Sequence, residues 1–484
     1  MSWGTPVRTV AALIAAIGFT ACSSPADSPI PTSPTSSGGA VPAGHGADGM
    51  GDPYYPTDGN GGYDASGYEV SISYDPKTKN LDGDTVVKAT ATEALTTFNL
   101  DLAGLKVAAV EVDGQAAEFS SKGDHELVIT PKTPIVKGAA FATRVRYGGE
   151  PTSDGDDTLG PEGWKISKSG GAFAAGQPHS AAHWFPVNDH PRDKATFKLA
   201  ARVPDGWSVV SNGREEPSVT ADGWTTFHWV ESNPMASYLA TVGIDKWTFE
   251  RSTLPGGVPV VNAYAPGVED KRAMQARMPE VIEFLSAKLG PYPFSSAGGI
   301  YLYENNSFAL ETQGRPIYAR RTELGLVVHE YAHQWFGNSV SIKNWADICL
   351  NECFASYAEW LWDEAKDGAD LDERYRTEIA DIDDAERFWG RTLYDMGAGN
   401  EFGAVYDKGQ LAVHAFRRQI GDPAFDRLLK EWVMKHKDGN ASWPEFEEMA
   451  ISVSGQDLRA FFDAWFRSDR IPADDFLYPG SLRG

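Results

Sequence analysis

Positive charge is scarce in this chain. Forty-three Lys and Arg stand against 67 Asp and Glu, a formal net charge of −24 over 484 residues. Such a surface repels nucleic acid and anionic membrane faces, which excludes a nucleic-acid binder. Cysteine is scarcer still, and three residues cannot build a disulfide-dense scaffold. Past the N-terminus no run approaches the 18 or so apolar residues that a transmembrane helix needs. No repeat of fixed period is present. What is there is the material of ordinary cores. Hydrophobic residues make up 42% and charged residues 23%, with 15 Trp, 18 Tyr and 23 Phe, so the chain is not wholly disordered. At about 100–200 residues per domain, its length fits two to four domains.

The first residues read as an export signal. Arg8 is the only charge before Asp27, and Val10 to Phe19 is apolar but too short to span a bilayer. Phe19-Thr-Ala-Cys22 then resembles a bacterial lipobox, with small residues ahead of the cysteine. The expectation is a signal peptide over 1–21 and acylation of Cys22, which becomes the mature N-terminus. The plainer reading is an ordinary signal peptide with a chance cysteine. Two or more acyl chains would hold the protein stably at the extracytoplasmic face of the membrane. Residues 22–67, rich in Ser, Pro and Gly, read as a disordered tether with an r.m.s. span of roughly 35–40 Å.

From 68 to 246 the pattern is strand-like. Tyr68 to Tyr74 alternates apolar and polar residues, and Thr85–Ala91, Glu126–Thr130 and Phe141–Tyr147 repeat the theme. Asp82-Gly83 and Asp113-Gly114 read as turns between such strands. An antiparallel β-sandwich is expected here. Over 247–484 the period becomes helical, with helices predicted at 274–289, 324–340, 350–364, 409–420, 423–435 and 458–466. Ser442-Trp-Pro-Glu445 has the form of a capping box.

The chemistry lies in this second half. Val327-Val-His329-Glu330-Tyr-Ala-His333 puts two histidines at i and i+4, on one face of a helix, where both can bind one Zn²⁺. Chance gives this pattern in about one such chain in a hundred, and the competing reading is a buried histidine pair. Catalytic zinc needs a third protein ligand and one open position. Nineteen positions after His333, Glu352 stands among apolar residues in Leu350-Asn-Glu-Cys-Phe. Four closed ligands, usually with Cys, would mark a structural zinc site instead.

His-Glu-x-x-His followed by Asn-Glu at this distance resembles the gluzincin aminopeptidases related to aminopeptidase N and the leukotriene hydrolases. Tyr406-Asp-Lys-Gly409 is similar to the family's Tyr-x-Lys-Gly, and Phe308-Ala-Leu-Glu-Thr312 stands where the family has Gly-x-Met-Glu-Asn. Gln177-Pro178 and Phe185 to Phe197 resemble the conserved end of its N-terminal domain. The likeness covers about residues 68–475. It implies a β-sandwich followed by a mainly helical thermolysin-like domain, one Zn²⁺ on His329, His333 and Glu352, and hydrolysis of N-terminal peptide bonds. It further implies Glu330 as general base, Tyr406 as oxyanion donor, and Glu311 with Gln177 as the site that takes a free α-ammonium of the substrate. Glu304 is the rival carboxylate for that last role. Phe308 and Thr312 depart from the family pattern, and the missing C-terminal helical domain of larger relatives suggests a more open cleft.

Cys349 and Cys353 replace the family's usual Trp and Gly. At i and i+4 they are inside disulfide range but not at its optimum, and the alternative is two small buried thiols. Rival readings are a zinc endopeptidase, an epoxide hydrolase on the same metal, and a silent peptide-binding lipoprotein. Glu311 argues against the first, and Glu330 with Tyr406 argues against the last. Oligomeric state and preferred first residue leave no mark in the sequence.

Overall fold

A computed structural model describes residues 44–154, 162–305 and 308–483. The expected signal peptide, Cys22 and the first part of the tether lie outside the described residues.

The rest of that tether is corrected by the structure. Residues 44–62 pack on the folded body, and the first strand, Tyr63–Asp75, begins ahead of the expected boundary at 68. Asp52 and Asn60 are buried. Asp52 accepts from the backbone N–H of Tyr54 at 2.8 Å and of Trp345 at 2.9 Å, while Gly46 N–H donates to the Thr97 carbonyl at 2.9 Å. This segment is fixed by carboxylate and backbone hydrogen bonds rather than by apolar burial, so its composition gives no hint of order.

Tyr63–Asp75 is the centre of an eight-stranded sheet. Inward and outward residues alternate along it, as a strand with one buried face requires. It pairs antiparallel with Asn80–Ala91 and parallel with Ala195–Pro204, so the sheet is not wholly antiparallel. A three-stranded sheet (Phe98–Asp101, Glu126–Thr130, Glu118–Lys122) and a five-stranded one (including Ala172–Ala175 and Val242–Asp245) complete the sheet-rich half. Asp113-Gly114 makes the predicted turn, with φ of 49° and 74°, the left-handed pair of a tight hairpin. Asp82-Gly83 does not. It lies inside Asn80–Ala91, where Gly83 faces Tyr147 across the ladder. A Cβ on Gly83 would come within 2.2 Å of the Tyr147 ring, so this glycine makes room for an aromatic.

The second half opens with a five-stranded sheet that ends on the short edge strand Ala309–Leu310. Helices follow. Three matter for the site: α1 (Leu324–Ala332), α2 (Cys349–Asp367) and α3 (Asp407–Ile420). The pattern predicted α1 to run to Val340, but it stops at His333. Gly337 takes φ 124° and Val340–Ile342 pairs with Gly439–Ala441 as a strand, which turns the chain away from the helix axis. The capping box is formed: Ser442 N–H donates to Glu445 Oε2 at 2.8 Å.

One hydrophobic cluster runs through both halves. Polar ties also cross the seam. Lys194 Nζ donates to the carbonyls of Asn338 and Ser339 (2.8 and 2.9 Å), and Asn212 Nδ2 to that of Gln313 (3.1 Å). Fully buried Arg315 donates to the carbonyls of Ser211, Gly213 and Val261.

Candidate active site

The apolar Leu-Val-Val of α1 buries one face of the helix and carries His329 and His333 into the interior, 5% and 1% exposed. Their ring centroids are 4.7 Å apart. Glu352, 2% exposed, projects from the first turn of α2. Its Oε2 lies 3.4 Å from the Nε2 of each histidine. The three ligand atoms all fall within 4.8 Å of one another.

The outer side of each ring fixes its tautomer. His333 Nδ1–H donates to the Phe336 carbonyl at 3.0 Å, and His329 Nδ1 faces Glu359 Oε1 at 3.1 Å. Nδ1 therefore carries the proton, and each Nε2 turns its lone pair toward Glu352. Two imidazole lone pairs and a carboxylate aimed at one point fit a divalent transition-metal ion such as Zn²⁺, and fit little else. Glu359 was not anticipated. It stands two turns after Glu352 on the same face of α2, a spacing that the sequence does contain.

Glu330, 4% exposed, has an Oε2 with no hydrogen-bond partner among the described residues. Burial pushes its carboxyl up, and the neighbouring carboxylates of Glu311 and Glu352 add to this. A cation bound at the triad would draw it down again.

Glu311 directly follows the edge strand Ala309–Leu310. Atoms of Glu311, Glu330 and His333 lie within 4.8 Å of one another. Gln177 comes from the sheet-rich half, at a cis Gln177–Pro178 bond, and donates to Glu311 Oε1 at 3.1 Å. Tyr238, from the same half, donates its hydroxyl to the same oxygen at 3.0 Å. Tyr238 carries no motif, and its role is visible only in three dimensions. The Glu311 backbone is pinned as well, with its carbonyl accepting from Gln334 and Asn338 at 3.2 and 2.7 Å. Glu304 is not in this group. It accepts from the Lys168 N–H at 3.0 Å and pairs with Lys168 Nζ at 3.7 Å. Thr312 turns its hydroxyl back to the Arg315 carbonyl, and Phe308 lies under Lys165 Nζ at 4.8 Å.

Tyr406 stands at the N-terminal end of α3, its ring centroid 6.1 Å from that of His329. The Lys-Gly that follows sets this position. Lys408 Nζ donates to the carbonyls of Trp389, Arg391 and Ser468. A Cβ on Gly409 would meet Cys353 Sγ at 2.7 Å, so glycine lets α3 lie directly on α2. Cys349 and Cys353 are joined as a disulfide, their Cα atoms 4.8 Å apart.

Comparison with known proteins places this geometry in a family. The model described as "Peptidase M1 N-terminal domain" matches residues 64–239, and "Peptidase family M1 domain" matches residues 296–465. Among solved structures, the M1 zinc metallopeptidase of Deinococcus radiodurans is 27% identical, with a TM-score of 0.82 over 88% of this chain and 98% of that one. A mutant of that protein bound to a Tyr-Ser-Ala substrate superposes with a TM-score of 0.78 over 84% of this chain. Aminopeptidase N of Lactococcus lactis subsp. cremoris is 25% identical over 455 residues, which is 84% of this chain and 50% of that protein. Leucyl aminopeptidase of Saccharolobus solfataricus is 25% identical over 447 residues, 84% and 53%. The chain spans about half the length of the curated relatives it matches. With both family domains in order and a matching two-domain fold, the chain belongs to peptidase family M1.

Proposed function

We propose that the protein is a zinc-dependent aminopeptidase that removes the first residue of peptides. The observation that carries this reading is the position of Glu311. A buried carboxylate, held by Gln177 and Tyr238, sits beside both Glu330 and the metal-ligand group. A carboxylate there pairs with a free α-ammonium and so sets which bond lies over the metal. Zn²⁺ on His329, His333 and Glu352 would polarise the scissile carbonyl and bring the pKa of a water molecule toward about 7.

The chain's own groups do the rest. Glu330 takes a proton from the attacking water and passes it to the departing amine. The Tyr406 hydroxyl donates to the oxyanion as it forms, an effect worth about 3–4 kcal/mol for such donors. Ala309–Leu310 is an edge strand, so an extended peptide laid along it meets unpaired backbone groups. Aminopeptidase names among the relatives, and a tripeptide substrate bound to a solved neighbour, support the same reading.

The test is one peptide series with free and N-acetylated termini, with and without a zinc chelator. The reading expects chelator-sensitive cleavage of free-amine peptides alone. Cleavage of both kinds would make the protein an endopeptidase. Attachment to the extracytoplasmic membrane face through Cys22 is proposed on the sequence alone. Cys22→Ser should release the protein from membranes, and unchanged retention would remove the lipid anchor.

A further inference from the structure

The sheet-rich half contains a second buried group of ligating side chains. Asp101 ends the strand Phe98–Asp101, and Glu126 opens its antiparallel partner Glu126–Thr130, directly opposite. They are 1% and 7% exposed. Ligand atoms of Asp101, His125 and Glu126 fall within 4.8 Å of one another. Like charges opposed on paired strands repel, and burial strengthens the repulsion. Asp101 also lines a cavity of about 170 Å³ together with Asp58, Asp124, His179 and Asp189.

No Lys or Arg forms an ion pair with Asp101, Glu126 or Asp189 among the described residues, although the charges of His125 and Lys122 act on Glu126 and that of His179 acts on Asp189. Neither oxygen of Glu126 has a hydrogen-bond partner among the described residues, and neither has Asp189 Oδ1. The Asn99 amide is given to Asp48 at 2.7 Å, and Lys122, more than half exposed, also pairs with Asp48. Both nitrogens of His125 are engaged, Nδ1 by Asp124 at 2.7 Å and Nε2 by the Thr57 carbonyl at 3.1 Å. His179 is turned to Asp58 at 2.8 Å. Burial, with the charge of Glu126 next, pushes the Asp101 carboxyl up, and burial raises Glu126 to about 7. A carboxylate ionised in the interior is costly unless a cation or hydrogen bonds offset it, and without them it stays protonated.

We propose that Asp101 and Glu126 hold a Ca²⁺ ion, with Asp189 and Asp58, which line the adjoining cavity beside Asp101, as further oxygen donors. The donor set is carboxylate oxygen, the imidazoles are already spent on other partners, and an irregular cavity suits the flexible shell of Ca²⁺ better than the strict octahedron of Mg²⁺. The supporting layer is in place. Asn60 Nδ2 donates to Asp101 Oδ1 at 3.0 Å, Asp189 N–H to Asp101 Oδ2 at 2.6 Å, and Ala182 N–H to Asp189 Oδ2 at 3.0 Å. The ion would join the 44–62 segment to two sheet strands and to the loop after the short helix Ala181–His183. The same segment reaches the catalytic half through Asp52 and the Trp345 N–H. This site is independent of the peptidase reading.

The test is calorimetric titration of the full chain with CaCl₂ and then MgCl₂, after dialysis into metal-free buffer and with zinc followed by elemental analysis. Wild type and His329→Ala should both take up one Ca²⁺ per chain, with Mg²⁺ at least tenfold weaker. Glu126→Gln and Asp189→Asn should each lose Ca²⁺ affinity by tenfold or more while wild-type zinc content is kept. No saturable Ca²⁺ uptake by the wild type would overturn the proposal. So would unchanged uptake in both carboxylate variants, or loss of uptake in His329→Ala with an unchanged circular dichroism spectrum.

Discussion

At the His329–His333–Glu352 centre two imidazoles face one carboxylate, whereas at the Asp101–Glu126–Asp189 group carboxylate faces carboxylate. Both groups are buried, and ligating atoms of Asp101 and Glu126 approach one another as closely as those of His329, His333 and Glu352, within 4.8 Å. In the first, imidazole and carboxylate alternate, and Phe336 and Glu359 fix both rings from behind. In the second, the imidazoles are turned to other oxygens, and the orienting donors are backbone N–H groups and one amide. The first is organised for a borderline-soft ion that keeps an open position for chemistry. The second is organised for a hard ion whose work is holding chain segments together. The difference separates a reacting site from a fastening, even though Asp, Glu and His build both.

The sharpest way to break this contrast is to remove chemistry from the first group without touching its ligands. Glu330→Gln should lower kcat by about 10²–10⁴-fold, the usual contribution of a positioned general base. Zinc content, read by elemental analysis, should stay at wild-type level. Full activity would take the base role away from Glu330. Next in size is the substrate anchor. Glu311→Ala should cost free-amine peptides about 2–5 kcal/mol of transition-state binding, the range for losing one partner of a buried charge pair. N-acetylated peptides should be cleaved no worse than before. Equal losses on both would mean that Glu311 only shapes the site. Smaller again is the support behind His329. Glu359→Gln should weaken zinc about 10–100-fold, as measured by competition with a chelator, while the fold persists.

Legibility in the sequence follows the same divide. The His329–His333–Glu352 cluster was readable because two of its members share one helical turn and the third stands at a known distance on the next helix. Glu359 was readable in principle, two turns beyond Glu352, but a lone glutamate on a helix is ordinarily solvated. Glu311 and Gln177 needed the family resemblance, since 134 residues separate partners that share a hydrogen bond. Tyr238 was out of reach, because a tyrosine in a single short helical turn, Ser237–Leu239, between strands has no pattern. The Asp101 group was out of reach for the same reason. Its members come from four separate segments, each reading as an ordinary polar strand end or turn. The tether failed differently. Composition measures apolar burial, and residues 44–62 are fixed by Asp52, Asn60 and backbone pairing instead. The length of α1 failed because its periodic pattern continues past Gly337, while the backbone there does not.

The smallest effect sharpens the comparison most, because it probes the second group by its support alone. Asn60→Ala removes the amide that holds Asp101 Oδ1 and leaves every carboxylate in place. The Asp189 N–H still holds the other oxygen, so only part of the orienting layer is lost. Ca²⁺ affinity should therefore fall by about tenfold, the low end for such support. Zinc affinity and the hydrolysis of free-amine peptides should not move, since none of the groups around His329, His333 and Glu352 touches Asn60. If zinc affinity fell with that of Ca²⁺, the two groups would be one coupled unit. The path from residues 44–62 through Asp52 to Trp345 would then be the connection to cut first, because Trp345 opens the short turn that leads into α2 and Glu352.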